Sequence, residues 1–127
     1  MNDLAPVQTA IYEALTAAPA TYPVYDAVPQ GAAFPYLVIG EWTAQPDEIL
    51  EVASTDADVM IHAWSRHPGK LEAHQLLQFV RARLDGQAIG GGVWACSEEF
   101  STVMEDRNST AANRLFHAAA RYRVRLN

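Results

Sequence analysis

Read for hydrophobic spacing, the chain is helical in rhythm at two places and alternates in most of the rest. Leu4, Val7, Ile11, Ala14, Leu15 and Ala18 fall on one stripe, which predicts an N-terminal amphipathic helix. Asp3 is placed to cap it, and Pro6 is tolerated in a first helical turn. Pro19 and Pro23 stop it and force an extended connection. A second stripe, Ala73, Leu76, Leu77, Val80 and Leu84, predicts a helix near Lys70 to Asp85, entered through Pro68-Gly69 and ended by Gly86. Phe79 lies off that stripe, which makes it either a satellite contact or an interface ring.

Elsewhere the period is two. Tyr22 to Val28 is a short strand candidate, and Tyr36 to Thr43 is a longer one, rich in β-branched and aromatic residues. Asp58 to Arg66 places Val59, Ile61 and Ala63 on one face and Met60, His62 and Trp64 on the other. Neither face is wholly polar, so one is expected under helices and the other against a neighbouring subunit. Val93 to Met104 follows a triple glycine, Gly90-Gly91-Gly92. Phe116 to Leu126 alternates cleanly, with His117, Ala119, Arg121, Arg123 and Arg125 on one side. The sum is an α+β chain: an antiparallel or mixed β-sheet of four to five strands, with both helices packed on one face.

Ala44 to Thr55 breaks the rhythm. It is acidic and poorly periodic, which suits the mobile tip of a long acidic β-hairpin. Asp47, Glu48 and Glu51 lack the oxygen spacing of a calcium loop and are expected in solvent. Ile49, Leu50 and Val52 have a weak claim on the core; they either fold back or await a partner.

The 127 residues, half of them apolar, are expected to form one domain spanning 1–127 that needs no disulfide or metal. Cys96 is alone, and no apolar run is long enough for a membrane span, so a soluble cytosolic protein is expected. Charge is lopsided. No Lys or Arg precedes Arg66, whereas Arg107, Arg114, Arg121, Arg123 and Arg125 follow Asp106 with no further carboxylate. Asp56 and Asp58 share a strand face and are expected to pair with Arg121, Arg123 and Arg125, either between strands or between subunits. Subunits joined acidic to basic, head to tail, close into rings when the rotation permits. A net charge of −6 argues against a primary nucleic-acid binder.

Chemistry-bearing patterns are missing. There is no Gly-x-Ser-x-Gly elbow, and Pro68-Gly69-Lys70-Leu71 has neither the spacing nor the hydroxyl of a phosphate loop. His62, His67, His74 and His117 show no zinc-type spacing. His62 reads best as a hydrogen-bonded core histidine and Cys96 as a small buried apolar residue. No catalytic, cofactor-binding or metal residue is assigned, and the chain is not expected to be an enzyme.

Several segments, in this order, carry a resemblance: Val24-Tyr25-Asp26, the strand Pro35-Tyr36-Leu37-Val38-Ile39-Gly40, Trp64-Ser65-Arg66, the helix with Leu76, Leu77, Val80 and Leu84, and the closing Tyr122-Arg123. Together they resemble the tail-terminator (tail-completion) family of long-tailed phages and gene transfer agents. The resemblance covers nearly the whole chain. It implies a structural virion protein of the tail-neck region that forms a homo-hexameric ring. Such a ring caps the tail tube, stops its polymerisation and offers a face to a head-completion or neck protein, while DNA passes its lumen without specific binding. It implies no cofactor and no membrane. On this reading Asp47, Glu48, Ile49, Leu50, Glu51, Val52 and Phe79 are candidate contacts with the tube or a neighbouring subunit. Two rivals stand beside it: a head-tail adaptor or neck subunit, and a small dimeric α+β ligand-binding domain or enzyme.

Overall fold

The computed structural model describes residues 4–46 and 55–126. The order of elements is α1 (Ala5–Thr16), β1 (Val24–Tyr25), β2 (Tyr36–Pro46), β3 (Thr55–Ser65), α2 (Leu71–Leu84), β4 (Gln87–Ile89), β5 (Trp94–Glu105) and β6 (Phe116–Leu126). The six strands form one sheet in the order β1-β2-β3-β6-β5-β4. The sheet is mixed: β1 runs parallel to β2, and every other pairing is antiparallel.

Alternation fixes which face meets the helices. Val59, Ile61 and Ala63 of β3 lie opposite Tyr122, Ala120 and Ala118 of β6, and all six are buried. They pack against the stripes Val7, Ile11 and Leu15 of α1 and Leu76, Val80 and Leu84 of α2. Stripe and sheet face thus make a two-layer α+β core. The small side chains of Ala118 and Ala120 let the helices approach the sheet closely, while Tyr122, fully buried, fills the space beside them.

The helix ends are held from a distance. α1 has no side-chain N-cap, and Asp3, the expected cap, lies outside the described residues. Its C-terminus is held by Arg83 of α2, which donates to the carbonyl oxygens of Ala14 (3.2 Å), Ala17 (2.6 Å) and Pro19 (2.7 Å). A guanidinium there satisfies orphan carbonyls and complements the helix dipole. Buried Ser65 at the end of β3 donates to Glu72 (2.7 Å) and accepts from the His67 backbone N–H (3.1 Å), which fixes the entry to α2.

Three features depart from the sequence reading. The sheet has six strands rather than four to five, because Gln87–Ile89 pairs with Trp94–Cys96. The arm joining β2 to β3 is longer, pairing as far as Pro46↔Thr55, so Ala44 to Pro46 and Thr55 belong to strands and not to a tip. The short strand expected over Tyr22 to Val28 is confined to Val24–Tyr25. Among the described residues no helix is long and apolar enough to cross a membrane.

Candidate assembly surface

With both helices on one side, the other face of the sheet has no element over it among the described residues. Alternation brings to this open face Asp56, Asp58, Met60, His62 and Trp64 from β3, and Arg125, Arg123, Arg121, Ala119 and His117 from β6. Two β-bulges add to it. The bulge between Ile39 and Trp42 turns Gly40 and Glu41 outward and returns Trp42 to the inner side, where its indole N–H donates to Gln8 of α1 (2.8 Å). The bulge between Glu98 and Phe100 leaves Glu98 inside, donor-bonded by Arg81 (3.1 and 3.3 Å) and by the Tyr122 hydroxyl (3.2 Å). It sets Glu99 and Phe100 toward Arg121.

One end of the face is a charge lattice. Arg123 Nε lies 3.4 Å from Asp56 and 3.6 Å from Asp58, with Glu99 at 4.0 Å. Arg125 reaches Asp56 at 3.4 Å, and Arg121 reaches Glu99 at 3.5 Å while covering the Phe100 ring at 4.7 Å. Asp56 and Asp58 are thus ion-paired with Arg123 and Arg125 within the subunit, whereas Arg121 is turned toward Glu99. Three carboxylates face three guanidiniums, so the lattice is neutral as a whole. Oδ1 of both aspartates and Nε of Arg123 are buried without a hydrogen bond, so charge rather than directed bonding holds them. Such half-exposed pairs contribute about 0–1 kcal/mol each.

Glu99 carries the consequence of that crowding. Its hydrogen bond to Asp58, with burial and the charge of Asp58, holds its carboxyl above the ordinary range against the pull of Arg123 and Arg121.

The other end of the face is an aromatic stack. Trp64 lies flat on His117 with ring centres 4.1 Å apart, and His117 stacks on His62 at 4.9 Å. His62 Nδ1 meets His117 Nε2 at 2.7 Å, and His62 Nε2 meets Glu41 at 3.0 Å. His62 is therefore hydrogen-bonded as expected, but on the open face and not in the core. Burial, then the neighbouring His62, holds the His117 imidazole below the ordinary histidine range, although Asp106 and Glu41 oppose this. Glu41 is held low, chiefly by its hydrogen bond to His62.

These groups do not compose a reactive centre. Glu41, His62 and His117 form a line with no nucleophile at its end, and no group of three or more metal-type side chains converges among the described residues. Cys96 is buried, its thiol pushed up to about 12 by desolvation, so it is inert as a nucleophile. Phe79 is half-buried within the subunit, edge-on to Tyr22 at 5.1 Å and under the Arg83 guanidinium at 4.7 Å. Asp47, Glu48, Ile49, Leu50, Glu51 and Val52 lie outside the described residues.

A chain of the virion of a native gene transfer agent particle shares the fold at TM-score 0.70 and 23% identity, covering 94% of this chain and 94% of that one. A second solved structure matches at TM-score 0.52 and 15% identity, over 100% of this chain and 99% of its own. At such identities the likeness is one of fold. No match was found among curated protein sequences. The family model of tail completion protein gp17 matches residues 9–127. The chain belongs to that tail completion family, whose members are structural proteins of the phage tail, carried in the virion, and not enzymes.

Proposed function

We propose that the protein forms a homo-hexameric ring on the open end of the tail tube, stops its polymerisation and presents the joining face to the head or neck. The observation that carries this reading is the tail completion match over residues 9–127. Termination needs one face that mimics a tube subunit and another that does not, or growth would continue. The two sides of this sheet are unlike in that way, one layered with helices and one bearing the charge lattice and the aromatic stack. The net charge of −6 suits a lumen that lets DNA pass without holding it. The arm of β2 and β3 would carry Asp47, Glu48, Ile49, Leu50, Glu51 and Val52 to the tube or a neighbouring subunit, with Phe79 as a further contact.

Removing the protein from particle-producing cells tests this directly. Overlong tubes without heads are expected by electron microscopy, and native mass spectra of the protein with tubes should show sixfold rings. Tubes of normal length that lack heads would move the role to a neck adaptor.

A further inference from the structure

Both edges of the sheet are stepped, and the steps match. At one edge β1 covers only Leu37 and Val38, so β2 from Gly40 to Pro46 has no strand beside it among the described residues. At the other edge β4 covers only Trp94 to Cys96. Below it the Glu98 N–H is taken by Asp85, and Glu99 to Glu105 has no strand beside it among the described residues. Open grooves mark the two steps. One, of about 640 Å³, lies between α1 and β1, lined by Gln8, Tyr12, Tyr25 and Asp26. The other, of about 540 Å³, lies beside β4, lined by Gln87, Ser97, Arg123 and Arg125. The first brings the carboxylate of Asp26, and the second brings Arg123 and Arg125 together with Glu99.

The pairing registers place the steps at complementary heights. The row through Leu37 continues across the sheet as Ala63, Ala118 and Val103. Val24 of β1 is therefore level with Val103, on the uncovered part of β5. The row through Ala44 continues as Ala57, Val124 and Cys96, so Gln87 of β4 is level with the uncovered part of β2. The directions also agree, since β1 and β4 both run parallel to β2 and antiparallel to β5.

We infer that the partner of each edge is a second copy of this chain, joined edge to edge. In this joint β4 of one copy and β1 of the next lie end to end in a single lane between β5 of the first and β2 of the second. β1 of the second copy is level with Thr102 and Val103 on β5 of the first, and β4 of the first is level with Ala44 to Pro46 on β2 of the second. An unguarded strand edge is a template for pairing, and Phe100 and Met104 beside this one are 41% and 46% exposed. The joint is head to tail, the kind of contact that closes into a ring when the rotation permits. The inference rests on the ring reading and supplies its subunit contact.

Single cysteines at level, same-face positions test it: Tyr25→Cys with Thr102→Cys at one step, and Ala44→Cys with Gln87→Cys at the other. With a short bismaleimide, mixing the two members of a pair should shift monomer into linked dimer, and the double variants should give a ladder of multimers. Each single variant alone should stay monomeric on the gel, like the wild type with its buried Cys96. Linkage of one single variant to itself would mean a two-fold contact and overturn the joint. Rings in native mass spectra without linkage at either pair would overturn the joint and leave the ring reading standing. A protein that remains monomeric even on purified tubes would overturn both.

Discussion

Gly40 lies directly against the imidazole of His62: a Cβ at Gly40 would stand 2.6 Å from His62 Cδ2 and 2.7 Å from Nε2. The backbone oxygen of Met60 closes the same space at 3.0 Å. Glycine is needed here for close approach, because the bulge sets Gly40 and Glu41 together opposite Met60. Gly40→Ala should push the ring out of its stack on His117 and cost about 1–3 kcal/mol, the usual range for overpacking. Urea unfolding measures it. Repeated in a His62→Ala background, the same substitution should cost much less, and an unchanged cost would locate the strain in the backbone.

Acid should loosen the stack from the histidine end first. His117 is held below its ordinary value of 6.5, so the unfolded chain takes up its proton before the folded one does. Its contribution to stability is complete above that value and is lost as pH falls through the lower folded value. Glu41, held below 4.5, adds a second loss of the same sign at lower pH. With His62 Nδ1 and His117 Nε2 at 2.7 Å, one nitrogen donates and the other accepts. Urea midpoints from about pH 7.5 to about pH 5 should fall more steeply for the wild type than for His117→Gln. Equal slopes would remove His117 from the account.

Much of this was readable in advance, and the rest was hidden for identifiable reasons. The strands β3 and β6 are long enough for alternation to show, so Asp56 with Asp58, and Arg121 with Arg123 and Arg125, each read as one face, while the sequence left open whether these charges meet between strands or between subunits. Gln87-Ala88-Ile89 is too short to display a period, and its pairing rests on β5 alone. Pro46 and the acidic run after it read as loop, although the strand ladder continues to Pro46↔Thr55. Glu41 and Glu99 were missed because both sit at bulges, where an extra residue breaks the period of two. Strict alternation turns Glu41 inward with Leu37 and Ile39. The contact of His62 with His117 required the register of β3 on β6, which nothing local specifies.

Arg83 should matter well beyond its position on α2. Its guanidinium donates to three carbonyls at the end of α1 and covers the Phe79 ring, tying the two helices together across their ends. Arg83→Ala leaves those carbonyls to water and uncovers the ring, and it should cost about 2 kcal/mol, as for loss of hydrogen bonds to a charged group. Arg83→Lys should recover only part, because an ammonium lacks the planar fork that spans Ala17 and Pro19. Thermal or urea melts of the three proteins decide. Equal stability of Lys and Arg would mean that charge alone holds the helix end.

Glu99 should respond to pH in the opposite sense from His117. Its carboxyl is held above its ordinary value of 4.5, chiefly by the hydrogen bond to Asp58, so the folded chain holds its proton longer than the unfolded one. The stability it contributes is therefore complete below that value and is lost as pH rises through the higher folded value. Above that folded value the Glu99 charge faces Asp58 in the lattice, and Arg121 at 3.5 Å with Arg123 at 4.0 Å only partly offsets the repulsion. Glu99→Gln keeps a hydrogen-bond donor toward Asp58 and removes the repulsion. It should be at least as stable as the wild type at about pH 7 and lose that advantage at about pH 4, read from urea midpoints. A clear loss of stability at neutral pH would show that the two arginines outweigh Asp58, and the lattice would then be an attractive network in which every carboxylate is needed.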